Sequence, residues 1–187
     1  MKLQNQITRI TATLSSVLVL CTTFDLLPSV AKQKCGNTDE VQASTTTRTI
    51  EFKKFGIKIK IPSNYRTMLR NDGSVMILDP GSYEAVRCAA PRGLYYFSIK
   101  LLPNPKKLSL LELAKGSSKQ ITNEPTNIHN YSLKDTQALI IDAKSGYGAY
   151  GIFNVPGKGV VEMSANCDCE VDKTDIIKYL KDTELLK

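Results

Sequence analysis

Isoleucines at 57, 59 and 61 alternate with lysines at 58 and 60 along residues 55–62 (FGIKIKIP), so a strand there buries one face and wets the other until Pro62 ends it. Residues 71–74 (NDGS) accept the positive φ of a tight turn, residues 75–78 (VMIL) continue as a second strand, and Asp79-Pro80-Gly81 turns the chain again. The aromatic and branched run 94–102 (LYYFSIKLL) is a third. A helix starts at Ser109, which with Glu112 forms a capping box, and its apolar side of Leu110, Leu111, Leu113 and Ala114 carries it to Ile121. A polar loop at 123–130 leads to strands at 138–142, 150–155 and 160–165, joined by glycine-containing turns. The closing helix spans about 172–186, with Ile176, Ile177 and Leu180 on one side. Strands, helix, strands, helix make an α+β sandwich, a mainly antiparallel sheet of about six strands with two main helices.

Ahead of this pattern stands a different one. Lys2 and Arg9 bracket a basic start, residues 10–20 (ITATLSSVLVL) are apolar but shorter than the ~20 residues that span a bilayer, and Ser29-Val30-Ala31 offers small residues for cleavage after Ala31. Residues 1–31 therefore read as an export signal, 32–47 (KQKCGNTDEVQASTTT) as a polar linker or arm, and 48–187 as one globular domain. Cys21 follows Leu20 and Cys35 follows Lys34, so neither has the small preceding residue that lipidation needs. Export leaves Cys35, Cys88, Cys167 and Cys169, and two disulfides are expected in an oxidising compartment. Three connectivities are open. Because Cys167 and Cys169 flank a single residue, each is expected to reach Cys88 or Cys35 rather than its neighbour.

Residues 145–151 (SGYGAYG) place Gly146, Gly148 and Gly151 on the G-x-G-x-x-G spacing of dinucleotide-binding turns, which must open a helix inside a βαβ unit. The chain continues from Gly151 as GIFNVPGKG, where no helix can start, so the glycines belong to a hairpin and neither nucleotide nor other cofactor is expected. His129 is the one histidine, in a polar loop, which speaks against a Ser-His-Asp triad and a His-rich metal site. Cys167-x-Cys169 lies among acids that raise a thiol pKa, so it reads as structural rather than redox-active or metal-binding. The carboxylate pairs Asp79/Glu84 and Glu170/Asp172/Asp175 have the composition of a glycosidase site but more simply cap helices.

The remaining candidates are surfaces. The whole chain carries a formal charge of +7, which falls by one when the leader takes Lys2, Arg9 and Asp25 with it. Lys58, Lys60, Arg66 and Arg70, interleaved with Tyr95, Tyr147 and Tyr150, are the candidate binding residues, suited to an acidic protein or membrane complex outside the cytoplasm; export argues against nucleic acid. The order FGIKIKIPSNY, DGSVMILDP, the strand 95–102, SLLEL, a hairpin pair and DIIKYLKDTELL resembles the PsbP-like family, with the DcrB-like periplasmic proteins similar in plan. That resemblance covers about residues 48–187 and implies an α/β/α sandwich without catalytic residues, a docking or assembly protein of the periplasm or thylakoid lumen, several such proteins being extrinsic to photosystem II. The chain departs from the pattern in having Tyr65 after the first strand, where the family commonly has Trp, and no tryptophan anywhere. The alternative is a thiol-active or hydrolytic enzyme built on the Cys167/Cys169 region.

Overall fold

A computed structural model describes residues 35–90, 93–121, 126–143, 148–167 and 171–187; the expected export signal and the start of the arm lie outside them. The described elements run in the order β1 (Thr47–Phe52), β2 (Ile57–Pro62), β3 (Arg66–Leu69), β4 (Val75–Leu78), α1 (Pro80–Arg87), β5 (Tyr96–Leu102), α2 (Leu110–Ile121), β6 (Thr126–Ser132), β7 (Gln137–Ala143), β8 (Gly148–Val155), β9 (Gly159–Asn166), α3 (Lys173–Leu180) and β10 (Thr183–Leu185). Seven strands form one antiparallel sheet in the order β3-β4-β5-β9-β8-β7-β6, and β1-β2-β10 form a second, smaller one. The fold is α+β.

Alternation along the strands sorts the large sheet into two faces. Phe97 and Ile99 of β5, Phe153 of β8 and Val161, Met163 and Ala165 of β9 share one face, where the isoleucines of β2 and Ile176 and Leu180 of α3 cover them. Ile57, Ile59 and Ile61 are fully buried, which contributes roughly 5–9 kcal/mol, as large as the net stability of many domains, so the small sheet is integral to the core. On the opposite face Ala114 of α2 packs on Ile141, Ile152 and Val160, while α1 lies over β3 and β4. Three layers result, with α3 and the small sheet on one side and α1 and α2 on the other.

Several expectations are corrected. The chain does not merely turn at Asp79-Pro80-Gly81: Asp79 caps α1, its carboxylate accepting from the amides of Gly81 (2.9 Å) and Ser82 (3.1 Å), with Pro80 at the first helical position. Residues 126–132 are an edge strand rather than loop, and the polar sequence TNIHNYS hides it because an edge strand can be polar on its wet side. The last helix ends at Leu180, since Thr183–Leu185 gain more by pairing with β2 as β10. The expected turn of SGYGAYG falls on residues 144–147, outside the described residues, but β7 and β8 pair antiparallel on either side of it and β8 continues as strand, not helix. Gly151 instead serves packing: a Cβ there would lie 3.0 Å from Cδ1 of Leu180, so α3 closes directly onto the glycine.

The cysteine pairing also differs. Cys35 bonds Cys88, 53 residues apart with Cα atoms 6.0 Å apart, so neither reaches Cys167 or Cys169. Cys167 is disulfide-bonded, and Cys169 lies outside the described residues. The arm makes the difference: it runs alongside α1, so its cysteine meets the end of that helix, which sequence spacing does not reveal. Closing a loop of this length stabilises by about 4 kcal/mol in the chain-entropy picture. Hydrogen bonds hold the same arm, Gly36 N–H to Glu84 (3.1 Å), Val41 N–H to Asp79 (2.9 Å) and Ser44 N–H to the Asn64 side chain (2.9 Å). Gly81 permits the approach, because a Cβ there would collide with the carbonyl oxygen of Asp39.

Asp79 thus fastens both the helix and the arm. Burial would raise its carboxyl, but hydrogen bonds from Ser82, Val41 and Gly81 outweigh burial and leave the pKa lowered. A lowered pKa contributes stability above the ordinary carboxylate value of about 3.9 and loses it as the pH falls through the folded-state value. Asp79→Ala should therefore cost about 1–3 kcal/mol in urea unfolding at neutral pH. The gap to the native chain should narrow on acidification; a gap unchanged from pH 7 to the acid transition would contradict this role for the carboxylate.

Candidate functional site

Two concave sites stand on opposite faces of the large sheet. The first lies between α1 and α2, where the helices leave the middle of the sheet uncovered. Its floor is three cross-strand pairs of β5 and β9 on one face, Tyr96 with Asn166, Ser98 with Ser164 and Lys100 with Glu162, joined by Tyr150 of β8 opposite Ser164. These are the polar members of the alternation whose apolar members build the core. The recess has a volume of about 670 Å³, with Val86, Ala89 and Ala90 as one wall and Arg70 at its lip.

The floor is internally satisfied. Lys100 Nζ sits 2.8 Å from Glu162 Oε1, and the Glu162 side chain is 3% exposed while that of Lys100 is 44% exposed. The hydroxyls of Ser98 and Ser164 share a hydrogen bond of 2.7 Å, and the Asn166 amide donates to Ser164 at 2.9 Å. Asp72 in the β3–β4 turn accepts from the hydroxyl and amide of Ser74; those bonds, with Arg70 and Lys100 nearby, hold its pKa low. Burial, then Glu162 and Tyr96, push the Tyr150 phenol up, so it stays a neutral donor and acceptor.

The second site is a groove of about 510 Å³ between the arm, the end of the small sheet where Thr47 of β1 meets Pro62 of β2, and α3. Tyr65, Tyr95 and Tyr179 line it with Ile61 and Pro62; Glu40 and Ala43 of the arm form one wall, and Lys60, Lys178 and Lys181 stand at the rim. The ring of Tyr179 stacks on Phe97 at 3.9 Å between centroids, which fixes the groove to the core. Tyr95 hydrogen-bonds Tyr179, and burial, Asp175 and Tyr65 push its phenol up to about 12. Burial raises Tyr65 and Tyr179 as well, so the groove presents protonated hydroxyls across the physiological range.

The residues expected to form one basic surface are dispersed. Arg70 and Tyr150 belong to the polar recess, and Lys60 and Tyr95 to the tyrosine groove. Lys58 faces Glu51 and Glu184 on its neighbouring strands and pairs with Glu184 at 3.2 Å, an acid that also meets Lys134 at 3.4 Å. Hydrogen bonding to Lys58 and the charge of Lys134 lower the Glu184 pKa. Arg66 pairs with Glu84 at 3.2 Å and lies over the Tyr83 ring. Tyr147 lies outside the described residues.

The candidate chemistry is occupied by structure. Glu84 also pairs with Arg87, and Asp172 and Asp175 form the capping box of α3. Among the described residues no group of three or more His, Cys, Asp and Glu is placed to hold a metal ion. Sequence reasoning does not single out Glu162, Ser164, Asn166, Tyr179 or Tyr65 as site residues. The polar positions of residues 160–166 carry a signal for the first three, since a strand flanked by helices on that face would otherwise be apolar there.

No protein-family model and no curated protein matches the chain. A solved structure does. It is the solution structure of cyanobacterial PsbP (CyanoP) from Synechocystis sp. PCC 6803, at a TM-score of 0.49 and 12% identity over 81% of this chain and 97% of that one. A likeness of that strength assigns neither family nor function, and the α+β description rests on the strands and helices themselves.

The ion pair on the recess floor gives a stability test. Lys100→Met strands a buried carboxylate and should lower stability by about 1–3 kcal/mol, less than for a fully buried pair because the ammonium is half in water. Glu162→Gln removes the buried charge and should cost less. Urea unfolding of both variants checks the order, and equal costs would contradict the assignment of Glu162 as the desolvated partner.

Proposed function

We propose that the chain is an exported, non-enzymatic binding or assembly protein that docks on an extracytoplasmic membrane complex through the tyrosine groove. The observation that carries this reading is the stapled arm: the Cys35–Cys88 bond and the contacts of Gly36 and Val41 hold residues that line the groove, so the recognition surface is organised before a partner arrives. A disulfide of this kind persists in an oxidising compartment, in keeping with the export signal read at residues 1–31 and with either a periplasm or a thylakoid lumen. Tyrosines supply broad contact area at little entropic cost, and Lys60, Lys178 and Lys181 suit a partner with acidic side chains around an apolar anchor. The resemblance to PsbP-like sequences supports an extrinsic factor of a complex such as a photosystem. The alternative thiol enzyme would use the disulfide of Cys167 as its oxidised form, and thiol labelling before and after mild reduction separates it from a structural bond.

Fractionation of the producing cells tests the reading. The oxidised protein should sediment with membranes and come off in a high-salt wash. Tyr95→Ala, and the double variant Cys35→Ser with Cys88→Ser, should shift most of the protein to the soluble fraction while circular dichroism stays native. A native protein that is fully soluble at low salt, or variants that stay bound as tightly as the parent, would refute docking through this groove.

A further inference from the structure

We propose that the recess between α1 and α2 is a binding site for a short neutral saccharide, a role separate from docking through the tyrosine groove. Four observations converge. The floor offers hydroxyl, amide and ammonium groups at close spacing from the part-exposed side chains of Ser98, Asn166, Tyr150 and Lys100, and these match the vicinal hydroxyls of a sugar, which both donate and accept. Glu162 and Ser164, 3% and 4% exposed, lie beneath these groups and hold two of them in place, Lys100 through the ion pair and Ser98 through the shared hydrogen bond. Tyr96 and Tyr150 add apolar ring surface for sugar C–H groups. Charges facing the recess balance, Arg70 and Lys100 against Asp72 and Glu162, and the ammonium of Lys100 is already held by Glu162, so no net field selects an anion or a cation.

Size and wall agree with this ligand class. About 670 Å³ is within the ordinary range for small-molecule sites and accommodates one or two sugar rings. Val86, Ala89 and Ala90 of the α1 side are small, so they form an apolar wall without filling the space. A buried floor whose groups already satisfy one another costs little to hold open, and a hydroxylated ligand can join its hydrogen bonds while the Lys100–Glu162 pair stays closed.

The test uses the oxidised protein labelled with ¹⁵N and titrated to millimolar concentration with trehalose, sucrose, maltose and N,N′-diacetylchitobiose. Glucuronate and sulfate serve as anionic controls. At least one neutral disaccharide should shift the amides of β5, β8 and β9 around Ser98, Ser164 and Tyr150. Tyr150→Phe, which removes one hydroxyl and keeps the ring, should weaken that binding about tenfold. Val86→Arg places a long side chain across the wall without altering the sheet and should abolish binding in a protein that still gives a dispersed spectrum. The proposal is overturned if none of the four disaccharides shifts these amides, if the anions alone do so, or if Val86→Arg leaves the shifts intact.

Discussion

Two strands at the centre of the large sheet set the organisation of the molecule. β5 and β9 pair over seven residues, and each alternates so strictly that Phe97, Ile99, Val161, Met163 and Ala165 fall on one face while Tyr96, Ser98, Lys100, Glu162, Ser164 and Asn166 fall on the other. A slip of one residue would place Glu162 and Lys100 in the apolar core, so burial of one face enforces the register of both. The apolar face draws in β2 and α3. The polar face cannot be sealed by helices in the same way, and α1 and α2 settle over its apolar margins, leaving the recess between them.

A second constraint acts at the edge of the fold. The arm is too polar to pack by itself, and it is held by Cys88, Asp79 and Glu84, which all belong to α1 or its caps. One short helix therefore joins the arm to the sheet and also forms a wall of the recess. Individual basic side chains are engaged locally, Lys58 by Glu184, Arg66 by Glu84 and Lys100 by Glu162, so they do not form one uniform surface. The net charge of the chain thus says less about partners than the tyrosines that the arm encloses.

Strands with clean alternation are legible in the sequence, and so is α2 with its Ser109–Glu112 box. β6 and β10 are not, because pairing with neighbouring strands overrides polar or helical local patterns. α1 reads as a turn, since Asp-Pro initiates helices and turns alike and only the carboxylate's hydrogen bonds to Gly81 and Ser82 distinguish them. Of the binding candidates, Lys60 and Tyr95 come together while Lys58 and Arg66 do not, because strand order, not position in the chain, decides which side chains share a surface. SGYGAYG has the spacing of a nucleotide turn, yet its last glycine works as a seat for Leu180.

If the polar face of β5 and β9 serves recognition, as proposed, the hydrogen bond between its two serines is dispensable for folding. The decisive measurement is the unfolding free energy of the double variant Ser98→Ala with Ser164→Ala. Removing both partners of this part-buried hydrogen bond strands neither hydroxyl, and the Asn166 amide that loses Ser164 is itself only part-buried and can turn to water, so stability within about 1 kcal/mol of the parent is expected. A loss of about 3 kcal/mol or more, or failure to fold, would show that the polar pair holds the sheet together and would contradict a role confined to recognition.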